Sequence, residues 1–342
     1  MADQNQAGCA RDRKPGGIKA GIAALASYIP PLRVTNDMLA EFLDTSDEWI
    51  STRTGIKARH ISEGENTSEM CVKGAKKLIS QTGLDPNSIG LIIVTTSSPD
   101  YLFPNCACAV QAAIGAENAM AFDLHAGCTG FVYSMSVADK YIRAGAFENV
   151  LVIAAEALSK IMDWNDRSTC VLFGDGCAAA LVTARETGVL CEIMGSDGNA
   201  GKALTGGYIP VINPFVKDPP PPTGFDYTKM DGRVVMDFAL NTVKKNIDDL
   251  IRKSGINMED VKWWLIHQAN KRIVDALAKK LELPLERFCT NIHEYGNVSS
   301  VCIPLMLEEM IEKGIISLGS GEKVVLCGFG GGLTYGSILM EL

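Results

Sequence analysis

Two rhythms of apolar and polar residues alternate along this chain. Short unbroken apolar runs bounded by turn residues predict buried strands at 91–95 (LIIVT), 120–124 (MAFDL), 150–155 and 178–182. Longer stretches of helical periodicity lie between them. Thr67 and Ser68 stand where a helix cap is expected, ahead of a helix through Leu78 that stops at Gly83. Strands that alternate with helices and are apolar enough to be covered on both faces predict an α/β protein.

Two stretches break the rhythm. Residues 1–17 are polar and aperiodic and read as a flexible tail. Residues 201–232 are glycine-rich and include four successive prolines at 219–222. A loop of that length is usually functional or mobile, the plain alternative being a solvated insertion. The remainder contains an internal repeat: TGLDPNSIGLIIV (82–94) matches SGINMEDVKWWLI (254–266) at an offset of 172 residues, close to half the chain. Two duplicated α/β halves are therefore expected, at 18–190 and 191–342.

Composition narrows the class. At roughly 150 residues per domain, 342 residues suffice for two domains with a sizeable core. With 47% hydrophobic and 21% charged residues, the chain is neither disordered nor a disulfide-stapled miniature. The net charge of −8 argues against general binding to nucleic acid or an anionic membrane, which needs clustered cations. No apolar run reaches the roughly 18–20 residues that span a bilayer, and the N-terminus lacks a signal-peptide core, so a cytosolic location is expected. Eleven scattered cysteines then read as reduced thiols. Cys106 and Cys108 have no partner pair at zinc spacing, and with four histidines in the chain no metal site is expected.

Four segments carry candidate chemistry. In DLHAGCTGFVYSMSVADKYIRAG (123–145) a strand ends, a small-residue turn holds Cys128, and an apolar helix follows. A thiol at a helix N-terminus is favoured as thiolate, with a pKa lowered from about 8.5 toward about 3.5–7.5, and the N–H groups there suit an oxyanion. A structural buried cysteine is the plain alternative. In WWLIHQANKRIVDALAKKLEL (263–283), His267 falls at a strand's carboxyl end, where catalytic groups of open α/β sheets gather. In EYGNVSS (294–300), Asn297 sits in a tight turn, a place asparagine also takes for purely local reasons. GFGGGLTYGS (328–337) lacks the spacing of a phosphate cradle but suits close approach of backbone to a substrate.

In this order, together with DTSDEWISTRTGIKARHI (44–61) and FGDGCAAAL, the CTGF, HQAN, GN and GFGGG motifs resemble the β-ketoacyl-[acyl-carrier-protein] synthases of type III, of the thiolase superfamily. The resemblance covers nearly all of the chain after the tail. It implies the five-layered α-β-α-β-α thiolase fold and a catalytic triad of Cys128, His267 and Asn297. Cys128 would take an acyl group from acyl-CoA, with the N–H groups of Cys128 and Gly331 holding the oxyanion. His267 and Asn297 would stabilise the enolate left when malonyl-carrier protein loses CO2, and the enolate would attack the acyl-cysteine. Acyl-CoA is then a substrate, and no cofactor is implied.

By position, the resemblance assigns Thr45, Trp49, Arg53, Arg167 and Asn270 to CoA binding. Gln268, Ala269, Asn270, Lys271 and Arg272 fall to the acyl carrier protein, joined by Lys279 and Lys280 on one cationic helix face, the complement of an acidic carrier. Phe103 matches a residue that closes the partner's acyl pocket in a homodimer. Val298 and His125 depart from the usual pattern beside the triad, and the proline-rich loop is longer than usual. The alternative within the superfamily is an acyltransferase or ketosynthase of secondary metabolism. An acyl-CoA sensor would not need a nucleophile, and a nicotinamide-dependent oxidoreductase would need a dinucleotide fingerprint that is missing.

Overall fold

Period-two alternation along the strands sorts the side chains into layers. The computed structural model describes residues 17–217 and 224–342. The expected tail up to residue 16 and the prolines at 219–222 lie outside them. One sheet holds β1 (Lys19–Tyr28), β2 (Leu91–Thr95), β3 (Met120–Leu124), β4 (Asn149–Glu156) and β5 (Gly176–Arg185), in the order β1-β5-β4-β2-β3. A second holds β6 (Val189–Ser196), β7 (Val261–Ile266), β8 (Lys323–Gly330) and β9 (Thr334–Glu341), in the order β7-β8-β9-β6.

Along β2 and β4, Leu91, Ile93, Val150 and Val152 face one way, into a cluster with α3 (Gly130–Arg143) and α6 (Cys302–Glu312). Ile92, Val94, Leu151 and Ile153 face the other way, onto α1 (Thr67–Thr82) and α2 (Cys106–Ile114). The second sheet repeats the arrangement. Val324 and Leu326 point to the central helices, while Val325 and Cys327 point to α4 (Lys244–Ser254) and α5 (Lys271–Lys280). The layers are therefore α-β-α-β-α, the thiolase-like architecture. Burial of each Val, Leu or Ile contributes about 1.5–3 kcal/mol, so strands apolar on both faces are held from both sides.

The repeat is visible as structure. α1 closes on Gly83 (φ 65°) and α4 on Gly255 (φ 72°), and each is followed by a 3-10 turn and a buried strand. Both glycines occupy the left-handed region that a Cβ strains. The 172-residue offset also relates Gly130 to Cys302, the first residues of the two central helices.

Two local expectations change. Asn66, not Thr67 or Ser68, caps α1, its N–H donating to the Glu69 carboxylate at 2.7 Å, and Thr67 turns inward to the Ser98 carbonyl. β1 was not legible because KAGIAALASY is built from small residues with little contrast between its faces. The ten cysteines among the described residues are free thiols. No helix among those residues is long and apolar enough to cross a membrane.

Candidate active site

At the end of β3 the chain turns through Gly127–Thr129 into α3, and Cys128 is buried in that turn. The turn is tight for steric reasons. Gly127 has φ 52°, and a Cβ on Gly130 would fall 1.8 Å from Thr95 Oγ1. The helix start therefore packs directly on the end of β2. Burial pushes the Cys128 thiol up to about 12; the Ser299 hydroxyl, donating to Sγ at 3.3 Å, opposes that rise, and the Glu156 charge adds to it. The lowered thiol pKa expected of a helix N-terminus is thus corrected. In a buried site whose perturbing charge is a carboxylate, desolvation outweighs the helix N–H groups, and the resting sulfur is protonated.

His267 follows β7, its N–H donating to the Cys327 carbonyl at 2.7 Å, and it is completely buried. Burial lowers its pKa to about 3, so the ring is neutral. Its Nδ1 lies 3.0 Å from Cys302 Sγ. Burial also pushes the Cys302 thiol to about 12, so this thiol keeps an S–H to donate. With Nδ1 accepting, the ring proton is assigned to Nε2, which makes no hydrogen bond among the described residues, although the Ser299 backbone lies near enough to the ring to oppose part of the lowering. Phe329 packs edge-on to the ring at 5.2 Å.

Asn297 is fixed at both backbone groups: its N–H donates to Leu172 and its carbonyl accepts from Gly174. Its Oδ1 accepts from the Ser299 N–H at 2.9 Å, which turns the amide nitrogen the opposite way as a donor. Ser299 thus bonds Cys128 with its hydroxyl and Asn297 with its N–H, and its backbone acts on His267 as well. The glycine hairpin between β8 and β9 closes the site. A Cβ on Gly330 would meet Cys128 Sγ at 3.1 Å, and one on Gly127 would meet the Gly331 nitrogen at 3.1 Å. Cys128, His267, Asn297 and the glycine loop, far apart in sequence, share one buried site holding a thiol, an imidazole, a side-chain amide and close-packed backbone.

Comparison with known proteins bears on this arrangement. Residues 122–198 match the family model of 3-oxoacyl-[acyl-carrier-protein (ACP)] synthase III, and residues 251–342 match the model of its C-terminal part. The chain is 47% identical over 327 residues to the β-ketoacyl-[acyl-carrier-protein] synthase III of Lactococcus lactis subsp. lactis (strain IL1403), covering 94% of this chain and 99% of the relative. The chain belongs to the β-ketoacyl-[acyl-carrier-protein] synthase III family. It is an acyltransferase of the condensing type. Its fold is similar to that of 3-oxoacyl-[acyl-carrier-protein] synthase III from Aquifex aeolicus VF5, at 38% identity and TM-score 0.86, covering 95% of this chain and all of that one. It is also similar to the priming β-ketosynthase of the R1128 polyketide pathway, at 31% identity and TM-score 0.88, covering 96% and 98%.

Residues singled out around the synthase site fare unequally. On the short helix Asp47–Thr54, Trp49 is half-buried with the guanidinium of Arg53 at 4.8 Å and that of Arg167 at 5.2 Å from its ring. Arg167 is also tied to the Asp44 carboxylate and carbonyl. The Thr45 hydroxyl is buried without a partner among the described residues. Asn270 spends its side chain locally, capping α5 at Arg272 N and donating to the Arg53 carbonyl at 3.0 Å. It thereby ties α5 to the Trp49 helix.

Gln268 is a correction. It is completely buried, accepting from the N–H groups of Asn291 and Ile292 and donating to Asn291 Oδ1 and Met306 Sδ, so it offers nothing to a carrier protein. Ala269 packs against the core beneath α5, and Lys271 pairs with Asp275. Lys280 donates to the Leu240 carbonyl and Asn241. Arg272 and Lys279 are exposed and have no ion-pair partner among the described residues. Phe103 is 85% exposed. His125 is exposed, and Val298 packs in the central apolar layer rather than presenting a group to the site.

Sequence reasoning missed Ser299, Cys302 and Glu156. Ser299 stood inside the quoted EYGNVSS turn, but its hydroxyl direction depends on a left-handed backbone, φ 50°, that serine seldom adopts.

Proposed function

We propose that this chain condenses an acyl-CoA primer with malonyl-[acyl-carrier protein], releasing CoA and CO2 and yielding a 3-oxoacyl-[acyl-carrier protein] that initiates fatty acid synthesis. Cys128 attacks the thioester and keeps the acyl group while the N–H groups of Cys128 and Gly331 hold the oxyanion. Malonyl-carrier protein then enters and loses CO2. His267 Nε2 and the Asn297 amide nitrogen donate to the thioester oxygen of the resulting enolate, whose carbon attacks the acyl-cysteine. The observation that carries this reading is the neutral, buried His267 with an unpartnered Nε2 and with Nδ1 held by Cys302. A neutral imidazole donates to an enolate without surrendering its proton. The guanidinium groups of Arg53 and Arg167 over the Trp49 ring support a CoA adenine site there, with Thr45 assigned to the same end.

The exposed run Tyr101, Leu102 and Phe103 supports a homodimer in which this apolar loop is covered by the partner. We place the enzyme in the cytosol with its carrier protein, which docks on Arg272 and Lys279. The similarity to a priming ketosynthase of a polyketide pathway favours one second reading, the same chemistry started by a different primer for a secondary product. Intact-mass measurement after incubation with a panel of acyl-CoAs tests both. The adduct identifies the primer, its loss on adding malonyl-carrier protein demonstrates condensation, and Cys128→Ser should carry no adduct. A fully acylated Ser variant would place the nucleophile elsewhere.

A further inference from the structure

Glu156 ends β4 and is completely buried, and no step described so far uses it. Its two oxygens are differently occupied. Oε2 accepts from the Ser97 N–H at 3.0 Å, the Ser98 hydroxyl at 2.8 Å and the Thr96 hydroxyl at 3.4 Å. Oε1 accepts from the Ser300 hydroxyl at 3.4 Å and so faces the turn Ser299–Val301. The Ser299 hydroxyl is close enough to this carboxyl to lower its pKa, and the same hydroxyl donates to Cys128 Sγ at 3.3 Å. The left-handed backbone of Ser299 aims the hydroxyl there, and such strained residues gather at functional sites.

We propose that Glu156, acting through the Ser299 hydroxyl, accepts the Cys128 proton during acylation. As Sγ bonds the thioester carbon, the Ser299 hydroxyl swings its proton from Sγ toward the Glu156 carboxylate; the S–H proton then passes to Ser299 Oγ and the Ser299 proton to the carboxylate. When the tetrahedral intermediate collapses and the bond to CoA sulfur breaks, the proton returns through Ser299 to the leaving thiolate. The sum is Cys–SH plus acyl–S–CoA giving acyl–S–Cys plus HS–CoA, with no other reactant.

Three features favour this route. Negative charge moves within the buried site and none is added, so no new desolvation is incurred. Glu156, raised by burial to about 7, is the stronger base beside His267 at about 3. A general base works best with a pKa near the working pH. The groups facing Glu156 are the neutral Thr96, Ser97, Ser98, Ser299 and Ser300, the Cys128 thiol, and the Lys160 ammonium, whose own carboxylate neighbours are Asp100 and Asp175.

The inference rests on Cys128 as the nucleophile. Single-turnover acylation by acetyl- or isobutyryl-CoA, followed by intact mass and peptide mapping from about pH 5.5 to about 8.5, tests it. Wild-type rates should climb to a plateau with a midpoint near pH 7, where Glu156 titrates. Glu156→Gln should lose that limb and fall on the order of 10²-fold at the plateau, while Glu156→Asp keeps a limb with a displaced midpoint. A limb and rate unchanged in Glu156→Gln overturn the relay, whether Lys160 or another group is then responsible. If the Gln variant does not fold, Ser299→Ala decides: loss of the limb supports the relay and its survival overturns it. An adduct mapped away from Cys128 removes the nucleophile assignment itself, an outcome distinct from an adduct on Cys128 with an unaltered pH profile.

Discussion

Gly330→Ala adds one methyl group beside the Cys128 sulfur, and the structure specifies what it meets. Its Cβ would lie 2.8 Å from Cys128 Cβ, 3.0 Å from Cys128 N and 3.1 Å from Cys128 Sγ. The first two atoms are the root of the residue, so rotating the thiol cannot relieve the contact, and the end of β8 and the Cys128 turn must separate by several tenths of an ångström. Gly330 is not in the left-handed region, so the cost is steric alone. Overpacking of this kind costs about 1–3 kcal/mol, and at roughly 2–4 °C per kcal/mol that lowers Tm by about 2–12 °C. The same separation displaces the adjoining Gly331 N–H from the proposed oxyanion position, and loss of one such donor slows the reaction on the order of 10²–10³-fold. The control is one residue away. A Cβ on Gly331 meets nothing nearer than Leu204 Cδ2 at 3.7 Å, an ordinary contact, so Gly331→Ala should stay within about 0.5 kcal/mol of wild type. Thermal unfolding and acyl-enzyme formation by intact mass compare the two. Equal stabilities, or a Gly330→Ala enzyme that acylates at the wild-type rate, would refute the reasoning.

His267→Ala and Asn297→Ala should each slow malonyl decarboxylation and condensation on the order of 10²–10³-fold while leaving acylation of Cys128 far less affected; equal losses in separately measured half-reactions would contradict the assignment. Burial keeps His267 neutral down to about 3, below its ordinary 6.5, so stability is lost as pH falls below 6.5; it keeps Glu156 protonated up to about 7, above its ordinary 4.5, so stability is gained as pH falls below 7. The two slopes oppose each other between 6.5 and 4.5, so in denaturant titrations Glu156→Gln should lose up to about 1.4 kcal/mol per pH unit on acidification and His267→Gln should show the opposite sign; parallel curves would exclude this pairing. Arg272→Glu with Lys279→Glu should raise KM for malonyl-carrier protein and flatten its salt dependence, with acylation by a small acyl-CoA little changed, whereas an unchanged salt slope would reduce these cations to solvated charge.

What the sequence determined by itself is what depends on near neighbours along the chain. The apolar runs at 91–95 and 120–124 are strands as read, because alternation and helical period reflect the backbone's own geometry. Cys128 stands at a strand-to-helix turn, His267 at a strand end and Asn297 in a tight turn for the same local reason. The 172-residue repeat disclosed the doubled architecture because a duplicated unit repeats its turn chemistry. Sequence order alone carries no distances, however, and three features were decided only by folding. Gln268 reads as a surface residue ahead of a helix, yet the loop at Asn291 and Ile292 supplies two N–H groups that draw it inside. Cys302 lies 35 residues from His267 and meets its ring because α6 is sandwiched between the sheets. Cys128, Glu156 and Ser299 come from a turn, a strand end and a strained loop. They meet because parallel packing of β4 and β2 brings those ends to one side, where the second half of the chain lays Ser299 across them. A buried carboxylate raises the pKa of a buried thiol only at such distances, so the chemistry of the site is a property of the tertiary structure.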